Sequence, residues 1–163
     1  MNSENEKEKY LTDIFDKLVV DLKTIKNGLM NDGKLIEAFK VEYRWRLMDR
    51  PVRDNLRMAV DFIFKHKKYW KTPESQLLLE LDEQGEQFEC PYFNHIMTIF
   101  KNLTAIITDV HDGLIRDYKT KEALKAKVFR KNSAKILTPS VKRTLEFIEK
   151  YHSYLDINSC ANL

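Results

Sequence analysis

Four arginines of the sequence, Arg46, Arg50, Arg53 and Arg57, are spaced by four, three and four residues. On one uninterrupted helix this spacing would align their guanidinium groups in a single stripe, because an α-helix turns once every ~3.6 residues. A guanidinium group binds carboxylates and phosphates through paired hydrogen bonds. The stripe therefore predicts a binding surface for an acidic protein or for a phosphate backbone.

The same arginines also have a purely structural interpretation. Residues 74–89 carry six acidic side chains and neither lysine nor arginine, and Asp49, Asp54 and Asp61 lie among the arginines. Pairing of opposite charges within a chain is common on helical surfaces, so these carboxylates would neutralise the stripe. Pro51 adds a second alternative, since a helix that breaks there would split the stripe into two pairs.

Two further groups of cations extend the candidate surface. Basic and aromatic residues are interleaved in residues 43–46 and 67–71, a pattern typical of single-stranded nucleic acid binders. The alternative is that Trp45 and Trp70 lie at the edge of the core. Residues 119–135 carry seven cations against one acid, as in a phosphate-contacting helix or a solvated face. The predicted partner-binding residues are Arg44, Arg46, Arg50, Arg53, Arg57, Lys67, Lys68, Lys71, Lys125, Arg130 and Lys131.

One pair of residues has the composition of a metal site. Helical phosphohydrolases of the HD type bind metal through a histidine–aspartate doublet, and His111-Asp112 is the only such doublet here. The additional ligands would have to come from His66, His95, Asp117 and Asp156. The residues that follow the doublet, Gly-Leu-Ile-Arg, depart from that family. A simpler interpretation places His111 near a helix C-terminus, where the helix dipole favours it.

Other enzyme classes lack their characteristic motifs. The sequence has no glycine-rich phosphate loop, no Gly-x-Ser-x-Gly and no His-Glu-x-x-His, and neither Cys90 nor Cys160 has an activating neighbour. We therefore predict no catalytic residue, no cofactor and no metal ligand. The favoured hypothesis is a non-enzymatic binding or adaptor module with an acidic partner. A protein partner is favoured slightly over nucleic acid, because no nucleic-acid-binding signature accompanies the charge.

Composition and periodicity predict an all-α fold. The 163 residues include only 4 glycines and 4 prolines, whereas sheet-rich folds need many turn residues. We expect six or seven helices around a central apolar helix at about 91–112. Further helix starts are predicted near Thr72 and Thr138, where proline and capping residues occur, and Pro51 either opens a new helix or kinks a continuous one.

An apolar seam runs along the first predicted helix, at about residues 8–30. Its members recur at alternating spacings of four and three, which suits either packing within the chain or a short homodimeric coiled coil. These residues are Leu11, Phe15, Leu18, Leu22, Ile25 and Leu29.

The remaining expectations concern domain organisation and location. We expect one helical domain over residues 1–157 and a short flexible tail at 158–163. Two distant cysteines and a polar N-terminus predict an intracellular protein, cytoplasmic or nuclear. Polar residues interrupt the most apolar stretch, 92–110, so no membrane span is predicted. No repeat of useful length is apparent; residues 61–65 resemble residues 146–150, as amphipathic helices often do.

Overall fold

The computed structural model describes residues 2–72 and 90–155. These residues are almost entirely helical and include no strand, which confirms the predicted all-α class. Three predicted features lie outside the described residues: the short helix that starts near Thr72, the acidic residues 74–89 and the tail at 158–163.

The described residues form four long helices, and the predicted number of six or seven is not confirmed. Helix α1 is Asn2–Asn31 and α3 is Cys90–Arg116. Helix α2 consists of Leu35–Leu47, Met48–Val52 and Arg53–Lys65. Helix α4 consists of Thr120–Asn132, Ser133–Leu137 and Thr138–Lys150. Short 3₁₀ turns, Lys67–Tyr69 and His152–Tyr154, follow α2 and α4.

A five-residue π-helical turn lies in the middle of both α2 and α4, where the sequence predicts helix boundaries. Proline cannot donate the backbone hydrogen bond of a regular helix, so Pro51 favours a break. In α2 the wider π-helical turn contains Pro51, and the helix continues beyond it. In α4 the π-helical turn ends just before Pro139, which occupies the first turn of the segment that follows. The predicted boundaries are therefore internal features of two continuous helices.

The two halves of the molecule repeat the same helical hairpin. Each consists of a long helix, a tight turn, a helix with a π-helical turn and a 3₁₀ turn. Every bound of the second half, from the end of its first helix onward, equals that of the first half plus 85; Leu35–Leu47, for example, corresponds to Thr120–Asn132. Gly33 and Tyr118, at equivalent positions in the tight turns, both have positive φ, 74° and 61°.

Sequence identities between the halves follow the same offset. Fourteen pairs of described residues are identical, which corrects the expectation that no useful repeat exists. Residues 61–65 and 146–150 belong to this register. The identities are difficult to recognise in the sequence because they are scattered over core positions and the turns. The pairs are Ile14/Ile99, Phe15/Phe100, Leu18/Leu103, Gly28/Gly113, Leu29/Leu114, Asp32/Asp117, Lys34/Lys119, Glu37/Glu122, Ala38/Ala123, Lys40/Lys125, Phe62/Phe147, Ile63/Ile148, Lys65/Lys150 and Tyr69/Tyr154.

The core lies between the hairpins and draws equally on α1 and α3. The seam of α1 is buried within the chain, as are its equivalents on α3, among them the pair Phe15 and Phe100. The predicted central helix is thus one of two. Because the seam is covered by its own chain, the homodimer predicted through these side chains would require the hairpins to separate.

Each hairpin contributes one tyrosine that packs against the other hairpin. The ring of Tyr69 packs on Gly113, and its hydroxyl donates a hydrogen bond to the carboxylate of Asp117 at 2.5 Å. Reciprocally, Tyr154 packs on Gly28 and donates to Asp32 at 2.6 Å. A methyl group at either glycine would collide with the ring. The hairpins are therefore related as two halves that exchange equivalent contacts.

Within the described residues, no helix combines the length and the apolar character that crossing a membrane requires.

Candidate functional site

The predicted arginine stripe is divided within α2. Arg46 lies 3.3 Å from the carboxylate of Glu42, and Arg53 contacts the carboxylates of Asp16 and Asp49. The guanidinium of Arg53 also lies over the ring of Phe15, 5.7 Å from its centroid. The π-helical turn before Arg53 changes the angle between successive residues, so Arg53 turns toward α1 instead of continuing the row. The structural alternative, in which carboxylates of the same chain neutralise the arginines, therefore holds for Arg46 and Arg53.

Arg50 and Arg57 remain on the surface. Both side chains are exposed, and neither forms an ion pair with a carboxylate among the described residues. Arg57 lines a cavity of about 690 Å³ together with Asp54 and Asp61, which lowers the net charge around it. These two arginines remain available for a partner, but they do not form the continuous row of four that the sequence spacing predicts.

Cations near the end of α2 contact aromatic rings. The ammonium groups of Lys67 and Lys68 lie 5.9 and 5.1 Å from the ring centroids of Trp70 and Tyr69. Trp70 donates its ring N–H to the carbonyl of Ile63 and packs against the core, so its ring is not free to stack on a base. Lys71 is exposed. Trp70 therefore lies at the edge of the core, as the alternative interpretation has it.

The basic residues of α4 lie on its outer side. Lys125 and Lys131 are exposed and Arg130 is half-buried. This part of α4 faces the core with Ala123 and Ala126. The basic face is consequently a solvated surface, and the exposed apolar side chains Leu124 and Val128 lie among its cations.

A groove between α2 and α4 gathers a different set of cations. Its polar lining consists of Lys40, Arg44, Ser140 and Arg143, with no acidic side chain. Its apolar lining consists of Phe39, Tyr43, Pro139 and Phe147. The cavity volume is about 690 Å³, within the range of ligand-binding pockets. Phe39 and Tyr43 are 70% and 65% exposed.

Arg44 is the most unusual side chain of this groove. Its Nε is buried and has no hydrogen-bond partner. Burial, followed by the nearby charge of Arg143, lowers the pKa of the Arg44 guanidinium, although arginine stays protonated in proteins. Arg143 lies over the ring of Phe147, 5.4 Å from its centroid. Among the described residues neither arginine forms an ion pair with a carboxylate. An anion in the groove would supply the missing acceptors.

The histidine–aspartate doublet lacks the surroundings of a metal site. His111 Nδ1 lies 3.1 Å from Asp112 Oδ1, within the doublet itself. Asp117 accepts the hydrogen bond of Tyr69, and His66 packs on Phe62 with a ring separation of 4.7 Å. Among the residues whose side chains the structure describes, no group of three potential ligands is close enough to hold a metal ion. Two of the candidate ligands, the side chain of His95 and Asp156, lie outside them.

The groove was only partly foreseen from the sequence. Arg44 belongs to the predicted set, but Lys40, Arg143 and Phe147 do not. A signal for the exposure of Phe39 and Lys40 existed in Ala38, a small residue that faces the core beside them. No comparable signal marked Arg143 and Phe147.

The comparisons with known proteins leave the site to be interpreted on its geometry. No protein-family model, no curated protein and no solved structure matches the chain.

Proposed function

We propose that this protein is a non-enzymatic helical binding module that presents an arginine- and lysine-rich surface to an acidic protein partner. The supporting observation is the pair Arg44 and Arg143, two guanidinium groups in one groove with no acidic residue in its lining. Uncompensated charge of this kind accelerates encounter with an oppositely charged partner and favours that partner over others.

A protein partner is preferred to a nucleic acid because of the aromatic environment. Trp45 is half-buried and packs against the core, like Trp70, so neither tryptophan offers an open ring face beside a row of cations. The exposed rings, Phe39 and Tyr43, lie instead in an open groove with two arginines. Aromatic residues together with arginine are typical of the centre of protein–protein interfaces. Nucleic-acid binding through the same surface remains the alternative.

The proposal is tested with polyglutamate and a single-stranded DNA oligonucleotide as fluorescent probes, followed by anisotropy at increasing salt. We expect saturable binding of polyglutamate that weakens with salt. The double variant Arg44→Glu, Arg143→Glu should weaken it at least tenfold, because charge reversal places two carboxylates where the acceptor must lie.

The matched control is Arg46→Glu with Lys65→Glu. It changes the net charge by the same amount, but at cations that already pair with Glu42 and Asp61. The control should retain most of the affinity. Equal losses in both double variants, or no binding of polyglutamate at low salt, would overturn the proposal. Tighter binding of the DNA would favour the nucleic-acid alternative instead.

A further inference from the structure

The groove has an internal reference in the other half of the molecule. The offset of 85 pairs Arg44 with Phe129, Arg143 with Met58 and Phe147 with Phe62. At this equivalent place, Phe129 packs on Phe62 with ring centroids 4.9 Å apart. Asn132 also donates to Asn55 across the same contact, at 3.5 Å. The fold thus closes this contact between α2 and α4 with two aromatic rings and an amide pair, while Met58 beside them is 54% exposed.

The groove departs from that arrangement at the positions where closure would occur. Arg44 occupies the place of Phe129 and Arg143 that of the exposed Met58, while Phe147 is retained but stacks on Tyr151 and lies under Arg143. A charged side chain replaces one ring of the contact, a second charge stands beside it, and the buried Nε of Arg44 is left without an acceptor. The fold itself does not need this substitution, since its equivalent contact is closed without it. Such local departures from what the fold favours are typical of functional sites.

We infer that the groove is a slot for a carboxylate that stands next to an aromatic ring, as in an acidic residue beside a tyrosine or phenylalanine of a partner protein. The two guanidinium groups and Lys40 would hold the carboxylate. Phe39, Tyr43 and Pro139 would contact the ring. This inference rests on the proposed function, and it adds the site and the chemical identity of what the partner inserts.

The smallest probe with both features is 4-hydroxyphenylacetate. Its binding is followed through the Nε–Hε signals of arginine in ¹H–¹⁵N spectra, with acetate and p-cresol as single-feature probes. We expect the Arg44 signal to shift with 4-hydroxyphenylacetate at concentrations at which acetate and p-cresol leave it unchanged. Equal shifts with acetate, or no shift of Arg44, would overturn the inference.

The variant that matches this logic takes the residues of the equivalent positions in the other half, Arg44→Phe with Arg143→Met. Its control, Arg50→Gln with Arg57→Gln, removes the same charge outside the groove. A copolymer of glutamate and tyrosine should bind the native protein at least fivefold tighter than polyglutamate does. The groove variant should lose that preference and remain folded by circular dichroism, while the control keeps it.

These outcomes separate the two proposals. Undiminished preference for the copolymer in the groove variant would overturn the inference. If polyglutamate binding were then lost in the Arg50→Gln, Arg57→Gln control, the acidic partner would stand and would bind elsewhere on the surface. Failure of the native protein to bind either polymer would overturn the proposed function together with the inference.

Discussion

The two hairpins share a core and differ at their contacts with one another. Equivalent positions on α1 and α3 are filled by buried apolar residues, with Phe15 and Phe100 at the centre. A polar difference lies within the second hairpin: Thr104 and Ser133, which share a hydrogen bond of 2.6 Å, stand where the first hairpin has Val19 and Met48. The repeat therefore tolerates a polar pair when both partners change together, because each satisfies the other.

The two equivalent contacts between α2 and α4 also differ. One is closed by Phe62 and Phe129, and its equivalent is open and lined by Arg44 and Arg143. Since the two contacts are otherwise built on the same plan, the difference points to a requirement outside folding. Substitutions at equivalent positions can test how far the equivalence holds.

The largest effect is expected from emptying the shared core. Phe15→Ala and Phe100→Ala should each lower the free energy of unfolding by about 3–5 kcal/mol, because both side chains are fully buried. Urea unfolding followed by circular dichroism measures the cost. Similar losses and a single transition are expected. A biphasic transition in either variant would show that the hairpins unfold separately and would contradict a core shared between them.

The glycines under the tyrosine rings should come next. Gly28→Ala and Gly113→Ala should each destabilise the protein by about 1–3 kcal/mol through overpacking, although alanine is the better helix former. Asn27→Ala, at the neighbouring exposed position, is the control and should change little. Combining Gly28→Ala with Tyr154→Ala should cost less than the sum of the single changes. Strict additivity would show that the ring does not cause the effect.

Closing the groove should have a smaller effect of opposite sign. Arg44→Phe places an aromatic ring against Phe147, as Phe129 lies against Phe62, and should raise the free energy of unfolding by about 0.5–1.5 kcal/mol. Arg46→Phe, at an exposed position on the same helix, should not stabilise. Urea midpoints compare the two variants. Destabilisation by Arg44→Phe would mean that the open groove is a requirement of the fold.

The smallest effect concerns pH. The hydrogen bond to Asp32 raises the pKa of Tyr154 to about 12, and the bond to Asp117 raises the pKa of Tyr69 in the same direction. An unfolded tyrosine titrates near pH ~10. The stabilising contribution of Tyr154 is therefore complete below pH ~10 and is lost as pH rises toward about 12, since the unfolded state releases its proton first.

The measurement is the urea midpoint at pH 9 and pH 11. Tyr154→Phe removes the titrating group, so the difference in stability between native protein and variant should shrink as pH rises over this interval. Tyr69→Phe should show the same dependence on pH, which would support the equivalence of the two contacts. A difference that stays constant with pH would argue that the hydroxyl of Tyr154 does not depend on Asp32.

Much of the fold could be predicted because helical periodicity is a local property. The seam of α1 and the apolar face of α3 were identified correctly from spacing alone. The number of helices was not, since Pro51 and Pro139 are compatible with either a break or a continuous helix. The exposure of Phe39 and Tyr43 was not indicated by spacing: α2 faces the core with Ala38 and Val41, so the large residues point outward.

The sequence by itself determined the helical class, the buried seams and the excess of cations, because each depends on neighbours one or two turns away. Only the tertiary structure decided which cations are free. Arg53 finds a carboxylate 37 residues away at Asp16, whereas Arg44 faces Arg143 from the other hairpin. It also decided that Tyr69 and Tyr154 exchange equivalent contacts between the halves. Such pairings follow from how the two hairpins pack, which no local spacing encodes.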